Sequence, residues 1–118
     1  MWLRIAGLMM FLGVALGAFG SHALRGKLDD YSLAVFKTAV MYHLIHALGL
    51  FIVANLSSLM NDSRIQWAGI FLVAGIILFS GSLYLLAITG QRWLGAVTPL
   101  GGLSFLTAWI LIAFSGLK

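Results

Sequence analysis

Charged residues cut the chain into four long apolar runs. No charge falls within residues 5–24, 38–61, 65–91 or 93–117, and each run is 20 residues or longer. An α-helix rises about 1.5 Å per residue, so roughly 20 apolar residues cross ~30 Å of hydrocarbon. Lipid offers no hydrogen bonds, so a spanning segment satisfies its backbone internally, and runs of this length do so as helices. The pattern predicts an all-α fold: an integral membrane bundle of four antiparallel transmembrane helices forming one domain over residues 1–118. The spans are expected at about 2–24, 36–59, 66–88 and 99–117, with a short interfacial segment at 25–35.

The connections carry their own signals. Arg25, Lys27, Asp29, Asp30 and Lys37 make residues 25–37 the most water-like stretch, and Asp29 or Asp30 is a natural N-cap for a helix starting near Tyr31. From there to Leu59 there is no proline and one glycine, so the second helix is expected to outrun the hydrocarbon core and to protrude, tilt or kink. Asn61, Asp62 and Ser63 form a polar turn before the third span, and residues 90–95 turn the chain again. Thr98 followed by Pro99 reads as N-cap then first helical residue of span four. Trp2 and Trp67 are expected at the membrane edges. Both termini then lie on one side, and the cations divide as Arg4, Arg64 and Lys118 against Arg25, Lys27, Lys37 and Arg92, too even a split to orient the bundle.

Composition narrows the function classes. Hydrophobic residues make up 62% of the chain and charged ones 8%, too few charges to cover a soluble surface. The net charge of +4 comes from cations at the ends of apolar runs rather than from a patch, so no nucleic-acid partner is expected. Cysteine is absent, which removes disulfides, thiolate metal sites and thiol nucleophiles.

Polar residues inside a membrane mark where partners are needed. Thr38, Tyr42 and His46 follow at i, i+4, i+8, with His43 at the edge of that stripe; Ser80 and Tyr84 are four apart on span three, beside Gly81 and Ser82; span four opens with Thr98, Gly101, Gly102 and Ser104. His22, Tyr42, His46, Ser80, Tyr84 and Thr98 are therefore the candidates for a polar interior or ligand site. Gly13 and Gly17 form a small-xxx-small pair that Gly20 continues, and with Gly81, Gly101 and Gly102 they are the candidate helix-packing positions. No Ser-His-acid set, H-E-x-x-H helix, phosphate-binding glycine loop or intramembrane carboxylate is present, so no catalytic residue and no metal ligand set is assigned and the protein is not expected to be an enzyme. No cofactor is predicted; haem or a metal would have to use His22 and His46.

The strings GAFGSHALRGKL (17–28), YHLIHALGL (42–50), LFSGSLYLLAITG (78–90) and TPLGGLSFLTAW (98–109) resemble the YgdD-type family of small bacterial four-span membrane proteins, which has eukaryotic relatives and no settled activity. The resemblance samples all four spans. It implies a multi-pass bacterial inner-membrane protein and points to Gly17, Gly20, His22, Tyr42, His46, Ser80, Gly81, Ser82, Tyr84, Thr98, Pro99, Gly101 and Gly102. The family pattern carries glutamine where this chain has His43, which leaves His22 and His46 as the better histidine pair.

The expectation that follows is a non-enzymatic, homo-oligomeric membrane protein, structural or binding a lipid or small ligand in its polar interior, with membrane lipids as partners. The alternatives are a small transporter or channel with a polar path at Tyr42 and His46, and a haem or metal protein using His22 and His46.

Overall fold

The computed structural model describes residues 1–117, except that nothing is described for the Ser21 side chain; Lys118, one of the cations counted above, lies outside the described residues. Four helical segments are long and apolar enough to cross a membrane: α1 (Trp2–Leu24), α2 (Asp30–Leu59), α3 (Ser63–Thr89) and the segment Arg92–Ala113, which joins a 3-10 turn at Arg92–Ala96 to α4 (Thr98–Ala113). Among the described residues there is no strand. The Cα extents are 52 × 26 × 17 Å, so the bundle is a slab. The most extensive contacts pair α1 with α2, α2 with α3, and α3 with α4, which puts α2 and α3 in the middle.

Helix ends fall where cap chemistry puts them. Asp29 caps α2, its carboxylate accepting from the Ser32 amide at 2.7 Å, and this bond holds the acid below the usual carboxylate range. The expected interfacial segment 25–35 is thereby divided. Only residues 25–29 form a turn, with Gly26 at φ +80°, while residues 30–35 are the first turns of a continuous 30-residue α2. At ~45 Å, α2 exceeds the ~30 Å hydrocarbon thickness by roughly half. Gly90, at φ +73°, ends α3 by donating its amide to the Leu86 carbonyl. Thr98 does not act as the N-cap of α4; it is the first helical residue, and its hydroxyl is engaged elsewhere. Span four also ends earlier than 117, at Ala113, in a turn that includes Gly116 at φ +78°.

Close approach between helices is made by glycine opposite large side chains. A Cβ on Gly13 would lie 2.8 Å from Leu44, one on Gly17 would lie 2.9 Å from Val40, and one on Gly20 would lie 2.7 Å from Phe36. The small face of α1 is thus taken up by α2 inside the bundle. At the α3–α4 crossing the fit is tighter, a Gly101 Cβ colliding with the Phe79 backbone nitrogen. Two expected packing positions do otherwise: Gly102 meets Phe79 only at ordinary van der Waals distance, and Gly81 would meet nothing nearer than the Ile76 carbonyl at 3.9 Å. Gly69 and Gly75, not foreseen, receive the rings of Trp2 and Phe105. Trp2 is accordingly buried against α3, its indole N–H donating to Gln66 Oε1 at 2.7 Å, rather than facing headgroups; Trp67 is exposed, as an edge residue should be.

Both α1 and α3 loosen into one π-helical turn, at Leu16–Gly20 and Ile76–Ser80. Such turns add a residue and re-aim the side chains that follow. Both lie against the same stretch of α2, where Gly17 and Gly20 meet Val40 and Phe36, and Ser80 donates to the Ala39 carbonyl at 2.8 Å.

On the terminal side Asp62 closes the fold. Its Oδ1 accepts from the Arg64 amide and guanidinium, its Oδ2 accepts from the Gly116 amide at 2.8 Å, and Arg64 also donates to the Leu117 carbonyl at 2.7 Å. The Gly116 bond, then the Arg64 bonds, pull the carboxyl down to about 2. A depressed acid stabilises the fold fully above its unfolded value of about 3.9 and loses that contribution as pH falls through the folded value. The Gly116 amide proton shift in micelles should therefore titrate with a midpoint near 2, and the titration should vanish in Asp62→Asn; a midpoint near 4 would mean the clasp does not form. Gly101→Ala should lower stability by about 1–3 kcal/mol through overpacking, read from thermal unfolding in detergent. Gly81→Ala should leave the melting curve unchanged or raised.

Candidate functional site

The six sequence candidates do not form one interior. They separate into a hydrogen-bonded core, a lateral groove and a membrane-edge pocket.

The core is organised by His43, which lies on the buried stripe of α2 with Phe36, Ala39, Ala47 and Leu50. Its Nε2 stands 2.8 Å from the Met9 carbonyl on α1 and its Nδ1 stands 2.9 Å from the Tyr84 hydroxyl on α3. A carbonyl can only accept, so Nε2 carries the proton; Nδ1 of the neutral ring then accepts from Tyr84. One imidazole thus joins three helices. Gly13 makes the approach possible, since a Cβ there would sit 3.2 Å from the His43 ring. Tyr84 is steadied by the Phe36 ring at 5.3 Å.

Hydroxyls join the remaining helices. Ser80 bonds Ala39 as above, and Ser104 donates to the Phe71 carbonyl at 2.7 Å. Ser82 and Thr98 are 2.6 Å apart, while Ser82 also lies 2.9 Å from the Phe79 carbonyl. Each hydroxyl has one proton, so the chain across α4 and α3 runs either from Thr98 through Ser82 to the Phe79 carbonyl or from Ser82 through Thr98 to the Leu94 carbonyl, 3.4 Å away. Every buried side-chain nitrogen and oxygen among the described residues has a partner.

Tyr42 and His46 lie around α2 from His43 and look toward α4. His46 Nδ1 stands 2.6 Å from the Tyr42 carbonyl, so that nitrogen carries the proton and Nε2 of the neutral ring presents a lone pair. The imidazole stacks on Phe105 with centroids 3.5 Å apart and planes within 9°, and the Tyr42 ring is parallel to it within 6°. These groups line a groove of about 630 Å³ between α2 and α4, walled by Phe79, Phe105 and Trp109. Among the described residues none bonds His46 Nε2 or the Tyr42 hydroxyl, and neither is sealed off, so both face the groove. His46 stands 16 residues from Asp30 and 13 from Leu59, which is mid-membrane.

His22 is exposed at the end of α1 and lines a separate pocket of about 260 Å³ with Ala18, Arg25, Leu33 and Lys37. Lys37 lies nine residues before His46 on α2, ~14 Å along the helix, so His22 and His46 are not brought together as a pair of axial ligands. No group of three or more metal-capable side chains occurs among the described residues.

His43, Ser82 and Ser104 are interior residues that the candidate set missed. Buried residues 36, 39, 43, 47 and 50 of α2 follow a line one position around from the 38, 42, 46 stripe read from polar side chains, of which His46 is itself buried. Counting small and large apolar residues, Ala39, Ala47 and Leu50, would have centred it on His43.

A family model described as protein of unknown function (DUF423) matches residues 16–102, and the chain belongs to that family. It is 50% identical over 108 residues to the UPF0382 membrane protein YwdK of Bacillus subtilis, covering 91% of this chain and 88% of that one. It is 42% identical over 118 residues to a UPF0382 membrane protein of Staphylococcus haemolyticus, covering 100% of this chain and 96% of that one. These matches agree with the resemblance carried by the sequence motifs, and with the four spans they make this a multi-pass membrane protein. No solved structure matches.

The three-helix junction is testable by a double-mutant cycle. His43→Leu leaves the Met9 carbonyl with one partner fewer and the Tyr84 hydroxyl unpaired, at a cost of about 1–3 kcal/mol. Tyr84→Phe should cost less, and the two should couple by about 0.6–2 kcal/mol. Additive effects on unfolding in detergent would mean that the hydrogen bond does not contribute.

Proposed function

We propose that this membrane protein is non-enzymatic and that the Tyr42–His46 groove holds a single-chain amphiphile from the bilayer, the ligand's hydroxyl donating to His46 Nε2. The carrying observation is a bare imidazole acceptor at mid-membrane depth, held in one tautomer by its own helix backbone and flanked by aromatic walls. In hydrocarbon such an acceptor gains free energy from any donor that reaches it. The Tyr42 hydroxyl gives a second polar contact, and from Pro99 to Trp109 the groove wall on α4 runs ~15 Å, room for an extended chain.

A transport path is less well supported. Tyr42 and His46 face α4 while His43 faces α1 and α3, so the polar atoms lie on different sides of α2 and are not strung along one route. A haem or metal role would need ligands other than the His22–His46 pair. Assembly into a homo-oligomer would use a surface other than the Gly13, Gly17 and Gly20 face, which packs on α2. The bacterial inner membrane is the proposed location.

A long-chain alcohol bearing a photoreactive diazirine should label peptides of α4 between Pro99 and Trp109. His46→Phe, which preserves the ring stack but removes the acceptor, should reduce that labelling severalfold with the melting temperature retained. Label spread evenly over all four helices, or unchanged in His46→Phe, would remove the proposal.

A further inference from the structure

The pocket at His22 is independent of the groove and differs from it in chemistry. Its rim is cationic or cation-capable at three points, His22, Arg25 and Lys37, and its floor is apolar, Ala18 and Leu33. Two helix ends build it: α1 stops at Leu24, Arg25 leaves the helix at ψ 126°, and Gly26 turns the chain back toward α2. Among the described residues nothing acidic lines it. Asp29 is occupied as the α2 cap and lines a different pocket, with Arg92. Asp30 lies seven residues before Lys37, ~10 Å along the helix, about one Debye length. The single ion pair among the described residues is Arg64–Asp62, at the opposite membrane edge. Arg25 and Lys37 therefore converge without an internal counter-ion.

Below the rim, the face of α2 that begins at Lys37 continues with Met41, Ile45 and Leu48 at helical spacing, all exposed and apolar. On α1 Ala18 is followed toward the midplane by the exposed Val14 and Phe11. Cations at headgroup depth thus stand over an apolar track leading into the hydrocarbon. We propose that this pocket binds the phosphate of an anionic membrane lipid, with Arg25 and Lys37 contacting the phosphate oxygens, His22 adding a further contact, and an acyl chain lying along Ala18, Val14, Met41 and Ile45. Inorganic phosphate shares the head chemistry but not the track, and the track favours the lipid.

The test is native mass spectrometry of the protein from mild detergent, with phosphatidylglycerol or phosphatidylcholine of identical chains added. The wild type should retain phosphatidylglycerol roughly tenfold better than phosphatidylcholine. Arg25→Gln/Lys37→Gln should lose that preference, and Arg92→Gln, a cation on the same side but outside the pocket, should keep it. The replaced side chains are exposed, and matching melting curves identify folded variants. Equal retention of the two lipids by the wild type, or equal loss of preference in Arg92→Gln, overturns the site. Displacement of the bound lipid by millimolar inorganic phosphate overturns the lipid assignment in favour of free phosphate.

Discussion

A polar group in hydrocarbon must find its partner within the protein, and in this chain the His43 imidazole meets that constraint by reaching two other helices at once. The Met9 carbonyl on one side and the Tyr84 hydroxyl on the other fix both its tautomer and its position. Much else follows from that placement. α1 must come close enough for a backbone carbonyl to be reached, which requires Gly13 at the crossing and favours Gly17 and Gly20 along it. α3 must present Tyr84 at the same level. Apolar side chains alone drive helices together weakly in lipid, because the tails are as apolar as leucine, so hydrogen bonds and close backbone packing determine which helices associate.

The other hydroxyls repeat the solution with simpler chemistry. Ser80, Ser104 and the Thr98–Ser82 pair each connect neighbouring helices, and each ends on a backbone carbonyl of the helix it reaches or of its own. The π-helical turns of α1 and α3 lie at the level where these bonds and the glycine contacts concentrate. Ser80, the last residue of the α3 turn, faces α2, while Ser82, two residues on, faces α4.

The four spans, the capping acid Asp29 and the turns could be read in the sequence because charge and hydropathy act locally. Even the length of α2 followed from the absence of a breaker. The rotation of each helix was less accessible. Assigning the interior of α2 to its polar stripe put His46 inside, where it is buried, but centred the interior on half-buried Tyr42 rather than on His43, which the small residues Ala39 and Ala47 flank because they require a neighbouring helix. Gly69 and Gly75 gave no signal alone, because their meaning depends on Trp2 and Phe105, distant in sequence. The clasp at Asp62 was hidden likewise: an N-cap is a local property, but the Gly116 amide arrives from 54 residues away.

The 17 Å thickness of the slab bears on how the membrane acts on it. All four helices carry exposed apolar side chains, Phe11 on α1, Leu48 on α2, Ile77 on α3 and Leu103 on α4 among them, so no helix is shielded by the rest. A thick bundle has a central region that feels the surrounding lipid only through an outer ring of helices. Here every helix pair is also a boundary, and a change in hydrocarbon thickness or lateral pressure acts directly on the contacts at Gly13 and Gly101. The bilayer is in that sense a fifth packing element, present along the whole perimeter.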